Sequence, residues 1–361
     1  MIRLSMLQFR VQAITAAVAL IAFAVLLAVT EAQLGSLYTA SGLSSCHPAS
    51  CGQLASSFLR QVNSGGPYGP VYTFSTILIV ITPAVVGLFW GAPLLAREME
   101  TGTLALAWSQ SVTRTRWLAV KLTVGGLAAM AVTEALSLLL DWWAAPLGRA
   151  IGLGGSGGLA RNQFNLLAFA THGITPLGYA AFAFSLGATA GALIRRTLPA
   201  MAVTLAIFAA VQIAMPLWIR PNVFPASHTT MTISSDALEA VTSDSPHTAH
   251  FVLGASVDSM DLGHAGLAGP QEAWILAIGA ADTAGHPVST VVPAACVPIA
   301  NSFSESDSAL VDCLNRQGIR EIVTYQPASR YWPLQWTETG IYLVLSAGLA
   351  GYCFRRLRRL S

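Results

Sequence analysis

Residues 96–121 form a short cluster of ionisable side chains in a chain that has only 10% charged residues. The ionisable residues of this stretch are Arg97, Glu98, Glu100, Arg114, Arg116 and Lys121. Acidic and basic groups in so short a segment can form ion pairs that fix the register of a contact with another protein. Because long apolar runs flank the stretch on both sides, we expect it to be the tip of a membrane hairpin. Arg-rich tips stay in the cytoplasm.

The composition of the 361 residues places the chain among polytopic membrane proteins. It is 54% hydrophobic with a mean hydropathy of +0.59, and several apolar runs reach the ~20 residues that cross about 30 Å of hydrocarbon. We therefore predict an all-α membrane fold. The net charge of +2 is too small to indicate nucleic-acid binding. The first apolar run is interpreted as a retained span, with a cleaved signal peptide as the alternative.

Six transmembrane helices are predicted, at residues 11–30, 71–95, 117–140, 175–194, 198–219 and 335–354. The predicted domains are residues 1–219 with spans one to five, an extracytoplasmic domain at 220–334, and residues 335–361 with the sixth span and a basic tail. Residues 141–163 are predicted to be a loop. Gly173 and Pro176 interrupt the next apolar run, which predicts a short helix that dips in from the outer face before the fourth span.

The distribution of basic residues predicts that both termini are cytoplasmic. Twelve of the 19 basic residues lie in short segments at one set of span ends, and seven are scattered over the longer loops of the other face. The positive-inside rule then places the short segments in the cytoplasm.

Four of the five cysteines, Cys46, Cys51, Cys296 and Cys313, fall on the predicted outer face. That environment is oxidising, so we expect disulfides there. Sequence proximity favours Cys46 with Cys51 and Cys296 with Cys313, although four cysteines allow three pairings and free thiols are the alternative. No metal site is predicted, because the histidines of the outer region lack metal-ligand spacing.

Ionisable residues are sparse within the predicted spans, which disfavours coupling of transport to protons or sodium. Glu134 alone lies well inside a span, either as an acid of a transport pathway or as a carboxyl that is hydrogen-bonded for structural reasons. A phosphate-binding loop needs Gly-x-x-x-x-Gly-Lys-Ser/Thr. The only lysine, Lys121, lies between Val120 and Leu122, so the chain has no such loop.

The stretch Ala96-Arg-Glu-Met-Glu-Thr-Gly-Thr-Leu, followed by Ala107-Trp-Ser-Gln-Ser-Val-Thr-Arg-Thr-Arg-Trp and Lys121, resembles the type-2 family of ATP-binding-cassette (ABC) permeases, in a version similar to actinobacterial members. This resemblance implies a non-enzymatic permease subunit in a bacterial plasma membrane, working outward as a homodimer or a dimer of similar subunits. It also implies a separate cytoplasmic ATPase subunit that binds ATP and Mg²⁺, with no cofactor on this chain. We name residues 96–121 the elbow. The residues expected to contact the ATPase are Glu98, Glu100, Gly102, Thr103, Trp108, Arg114 and Arg116.

Two other function classes stay open at this point: an ion-coupled secondary transporter or channel, and a membrane-anchored sensor or interaction protein. Gly187 and Gly191 form a Gly-x-x-x-Gly pattern that lets helix backbones approach closely. The sequence does not decide whether they pack within one subunit or between two.

Overall fold

The structure, a computed structural model, describes residues 10–46, 48–100, 114–155, 163–233, 238–245, 248–253, 273–301 and 308–358. It is mostly helical. The chain divides into two compact units. The helical unit comprises Met1–Leu159, Leu167–Arg220 and Trp332–Ser361, and the mixed unit comprises Ala160–Leu166 and Pro221–Tyr331.

Between residues 10 and 100 the chain forms helices α1 (Arg10–Ala40), α2 (Pro48–Ser64), α3 (Tyr68–Val86) and α4 (Ala92–Glu100). A π-helical turn, Gly87–Gly91, joins α3 to α4. The remaining helices before the mixed unit are α5 (Arg114–Gly152), α6 (Leu166–Thr171), α7 (Thr175–Ile194) and α8 (Thr197–Ala214). A second π-helical turn, Met215–Ile219, extends α8.

Five helices of the described chain are long and apolar enough to cross a membrane. They are Arg10–Ala40, Tyr68–Glu100, Arg116–Gly152, Thr175–Ile194 and Thr197–Asn222. Each contains one of the first five predicted spans. The helix that contains the predicted sixth span is less apolar than these five.

Helix α7 is the most buried of the five, because its neighbours cover it on several sides. Glycines allow the closest of these contacts. A Cβ built on Gly87 would lie 2.7 Å from the Ala183 carbonyl oxygen, and one built on Gly91 would lie 2.6 Å from that of Phe184. A Cβ built on the facing Gly187 would collide with the backbone of Gly87, and one built on Gly191 would collide with the backbone of Ala92. The Gly-x-x-x-Gly pattern therefore packs within one subunit, against the second span.

The predicted loop at 141–163 is wrong in its first part, because α5 continues to Gly152. Its 39 residues span about 58 Å, more than the ~30 Å of a hydrocarbon core. Trp143 is fully buried in this extension and donates a hydrogen bond from Nε1 to Thr30 Oγ1 of α1 at 2.9 Å. The extension also packs on α2, whose buried face includes Phe58 and Leu59.

The mixed unit contains the described strands, so the all-α prediction holds for the helical unit and not for this one. Strands β1 (Ser227–Met231), β4 (Trp274–Ala281) and β5 (Arg320–Gln326) form an antiparallel sheet with β5 in the middle. Strands β2 (Leu238–Ser245) and β3 (Thr248–Leu253) form an antiparallel pair. Two short helices, α9 (Val297–Ala300) and α10 (Ser308–Arg316), contribute to an apolar core.

Both predicted disulfides are confirmed. Cys46 and Cys51 are bonded with Cα atoms 5.5 Å apart, next to the start of α2. Cys296 and Cys313 are bonded with Cα atoms 5.8 Å apart, and they join the start of α9 to α10 in the core of the mixed unit. The last helix, α11 (Tyr331–Arg358), follows β5 and belongs to the helical unit from Trp332 onward.

Candidate functional site

The first part of the elbow is the last turn of α4, and it makes an ion pair with α5. Lys121 Nζ donates to Glu98 Oε1, and both side chains are largely buried. The Lys121 ammonium also lies 4.5 Å from the centroid of the Trp117 ring. The second carboxylate oxygen of Glu98 is buried and has no hydrogen-bond partner within the described chain. The Glu98 carboxylate therefore holds the second predicted span against the third.

The second elbow carboxylate, Glu100, contacts a different helix. Its Oε1 accepts a hydrogen bond from the Thr197 amide at 3.0 Å, and its Oε2 accepts one from the Thr197 hydroxyl at 2.6 Å. Thr197 is the first residue of α8. The amides at the start of a helix lack partners inside the helix, and a carboxylate there is favoured by the helix dipole. Glu100 thus caps the fifth predicted span.

The other expected ATPase contacts are described only in part. Gly102, Thr103 and Trp108 lie outside the described residues. Arg114 begins α5, and the structure describes its backbone only. Arg116 is an exposed residue of the first turn of α5. The role of these residues in contacting an ATPase stays a prediction.

A buried polar cluster that was not predicted from the sequence lies at the ends of the predicted spans opposite the elbow. Arg220 forms two hydrogen bonds with Glu338 of α11, Nε to Oε2 at 2.9 Å and Nη2 to Oε1 at 3.1 Å. The hydroxyl of Tyr179 in α7 donates to Glu338 Oε1 at 2.6 Å. The Arg220 guanidinium also lies over the Phe169 ring, 3.9 Å from its centroid. The charges neutralise each other, so the cluster can be buried.

A second missed residue, Gln335, fixes the turn between α6 and α7. Its Oε1 accepts hydrogen bonds from the amides of Ile174 and Thr175, each at 3.1 Å. Its Nε2 donates to the carbonyl oxygens of Phe169 at 3.2 Å and His172 at 3.1 Å. One buried amide side chain of α11 therefore satisfies backbone groups on both sides of the turn. An amide side chain at the start of the predicted sixth span was the available sequence signal.

Glu134 lies on α5 and accepts a hydrogen bond from the backbone of Leu177. Its Oε2 is buried and has no hydrogen-bond partner among the residues that the structure describes. Two turns further along α5, Asp141 binds His172 through Oδ1 and Nδ1, and His172 Nε2 lies 3.3 Å from the Tyr72 hydroxyl. The prediction that Glu134 belongs to a transport pathway stays a prediction.

The described ranges contain no group of three or more His, Cys, Asp or Glu side chains that could hold a metal ion.

The elbow is connected to several helices at once. The last turn of α4, with which the elbow begins, is hydrogen-bonded to α5 and α8 and packed against α7.

A family model described as "ABC-2 membrane transporter related" matches residues 17–220, which is more than half of the chain. The matched segment begins in α1 and ends at Arg220, so it covers the five apolar helices and the elbow. No curated protein and no solved structure matches the chain.

Proposed function

We propose, from the premise that this membrane protein belongs to the ABC-2 membrane transporter related family, that it is the permease subunit of an ATP-driven exporter. In this proposal a separate cytoplasmic subunit binds ATP and Mg²⁺, and the elbow receives its motion. The observation that carries the proposal is the position of α4. This helix ends at Glu100, directly before residues 101–113, and contacts α5, α7 and α8. A displacement of the elbow would therefore act on the second, third, fourth and fifth spans together.

We further propose that α11 is the sixth span. Its polar residues lower the mean hydropathy, but Gln335, Glu338, Thr339 and Ser346 are buried, whereas Trp336 and Val344 are exposed. Trp336 and Arg355 are about 29 Å apart along the helix, which matches the ~30 Å between the two membrane interfaces. Tryptophan is favoured at such an interface, and arginine at the cytoplasmic one. This topology places the mixed unit outside and both termini inside.

The charges inside the helical unit favour this energy source over ion coupling. Arg220 is paired with Glu338, and Lys121 with Glu98, both in buried contacts. An ion-coupled transporter needs intramembrane groups that exchange their partners during transport. A carboxylate that is held by a guanidinium at two points and by a tyrosine hydroxyl is poorly suited to that exchange.

We also propose a homodimer, or a dimer of similar subunits, in a bacterial plasma membrane.

The test is co-expression with an ABC ATPase, the candidate being any such ATPase encoded by a gene adjacent to this one. The tagged chain should retain the ATPase through detergent extraction, and the complex should hydrolyse Mg-ATP. An ATPase in which the catalytic glutamate is replaced by glutamine is the control for hydrolysis. If the wild-type chain purifies without an ATPase, the proposed function is wrong.

Two charge reversals make the test specific for the elbow. Arg116→Glu lies in the elbow, and Arg316→Glu reverses an exposed arginine of the mixed unit. We expect the elbow variant to recover less ATPase and the mixed-unit variant to recover the wild-type amount. Equal recovery from both variants would argue against an ATPase contact at Arg116.

A further inference from the structure

The two elbow carboxylates are bonded within the chain, to different helices. Glu98 and Glu100 are two residues apart on α4, which places them about 200° apart around the helix. Glu98 is bonded to Lys121 of α5, and Glu100 to Thr197 of α8. Both acids were expected to contact an ATPase; the contacts that the structure describes are with other helices of this chain, and the ATPase contact stays a prediction.

The contact of Glu100 falls at the tight turn between α7 and α8. Arg195 ends α7 in the left-handed region, with φ 58°, and its amide donates to the Gly191 carbonyl at 3.0 Å. Arg196 is extended, and its side chain forms no capping hydrogen bond to α8. The cap comes instead from Glu100, 97 residues earlier in the chain. The start of α8 therefore depends on the position of α4.

Apolar packing also joins α4, α7 and α8 near this contact. Ala92 of α4, Ala190 of α7 and Ala200 of α8 form one fully or almost fully buried cluster. A side chain on Gly191 would collide with the Ala92 carbonyl oxygen. Contacts this close leave little room for α4 to slide independently of its neighbours.

We propose that Glu100 is a positioning residue which transmits movement of the elbow to the turn between α7 and α8 through its two hydrogen bonds with Thr197. The inference rests on the proposed function and changes one part of it: Glu100 acts inside the permease and does not dock on the ATPase. Residues 101–113 follow Glu100 directly in the chain, so the cap lies next to the part of the elbow that is proposed to receive the motion of the ATPase. When the cap is removed, movement of the elbow no longer reaches the first turn of α8 through these hydrogen bonds, while the apolar packing between α4 and α8 remains.

The test uses the permease–ATPase complex and three variants. Glu100→Ala removes both acceptors, Thr197→Val removes the hydroxyl donor, and Thr197→Ser keeps both donors as the matched control. Amide hydrogen exchange of the first turn of α8 is measured with Mg-ADP and with Mg-ATP plus vanadate. Co-purification and ATP hydrolysis are measured on the same samples.

We expect the first-turn amides to exchange at different rates in the two nucleotide states, in the wild type and in Thr197→Ser. In Glu100→Ala, which loses both hydrogen bonds, these amides should exchange about five-fold faster, as loss of a helix cap predicts, and the difference between nucleotide states should disappear. Thr197→Val, which keeps the amide donor, should lose part of that difference. Both variants should still co-purify with the ATPase. A purely structural cap would raise the exchange rate and leave the nucleotide response intact.

Three outcomes overturn the inference, and they are separable from failure of the proposed function. If Glu100→Ala loses the ATPase while Thr197→Val keeps it, Glu100 docks on the ATPase. If the wild-type complex shows no nucleotide response at α8, or if Glu100→Ala keeps it, Glu100 does not transmit movement. If no ATPase co-purifies with the wild type, the proposed function itself fails.

Discussion

Arg220 and Glu338 form a buried two-point salt bridge although 118 residues separate them in the chain. Their side chains are only 3% and 4% exposed. Arg220 is the last residue of the helical unit before the chain enters the mixed unit, and Glu338 lies in the first two turns of α11 after its return. The bridge therefore joins the two chain segments that bound the mixed unit, within the helical unit itself.

Breaking this bridge from one side should strongly destabilise the helical unit. Glu338→Ala leaves a buried guanidinium without its counter-charge, and losing one partner of a buried pair typically costs about 3–5 kcal/mol. We expect Glu338→Ala and Arg220→Ala to unfold at clearly lower denaturant concentrations than the wild type. Tryptophan fluorescence of the purified protein in detergent measures this.

A double variant separates the charge effect from the packing effect. Arg220→Met combined with Glu338→Leu removes both charges and keeps apolar volume, so it should recover most of the lost stability. Tyr179→Phe removes one hydrogen bond to a charged acceptor and should cost about 1.5–3 kcal/mol. Single alanine variants as stable as the wild type would show that the bridge is not buried as described.

The crossing of α7 with the second span should not tolerate a side chain at Gly187. Its Cβ would meet the Gly87 carbonyl oxygen, and overpacking of this kind typically costs about 1–3 kcal/mol, occasionally more. Gly348→Val is the matched control, because nothing lies within 4 Å of a Cβ built there. We expect Gly187→Val to lose most of its monodisperse peak in size-exclusion chromatography and Gly348→Val to keep it. A normal peak for Gly187→Val would contradict the close crossing.

The proposed topology predicts opposite labelling of two introduced cysteines. Ala284→Cys and Arg355→Cys place a thiol at exposed positions of the mixed unit and of the end of α11. A membrane-impermeant maleimide should label the first in intact cells and the second only after permeabilisation. The wild type serves as the blank, because Cys353 is buried and the other four cysteines are paired. The reverse labelling pattern would invert the topology.

Local signals in the sequence predicted the fourth span well. The helix runs over Thr175–Ile194, as expected, because Gly173 before it has a φ of 73° and Pro176 stands in its first turn. Glycine suits the left-handed conformation, and proline at a helix start loses no helical hydrogen bond. Both effects act within a few residues and can be recognised without knowledge of the tertiary structure.

Remote partners explain what the sequence did not predict. Asp141 was placed in the predicted loop at 141–163, but its carboxylate binds His172, which lies 31 residues away, and the helix continues. Glu98 and Glu100 were expected to contact an ATPase, and the sequence did not predict their partners within the chain, Lys121 and Thr197. The low hydropathy of α11 comes in part from Gln335, Glu338, Thr339 and Ser346, which are buried in the folded chain. Such pairs can be identified only once the helices are packed.

Glu321 gives the mixed unit a stability that depends on pH. It lies on the central strand β5 opposite Ala280 of the core, is 1% exposed, and its Oε1 has no hydrogen-bond partner in the described part of the unit. Burial raises the pKa of this carboxyl above its ordinary value of 4.5. The folded unit therefore holds the proton more tightly than the unfolded chain does.

The sign of the pH effect follows from this difference in proton binding. Stability from the protonated Glu321 is fully present below the unfolded pKa and is lost as pH rises through the folded pKa. We expect Glu321→Gln, which cannot ionise, to protect β5 against amide hydrogen exchange more than the wild type does at pH 8. At pH 4 the two proteins should exchange alike. Comparing them at each pH, in the full chain, cancels the contributions of other titrating groups. A difference that is constant from pH 4 to pH 8 would show that Glu321 is not a buried ionisable group of the folded unit.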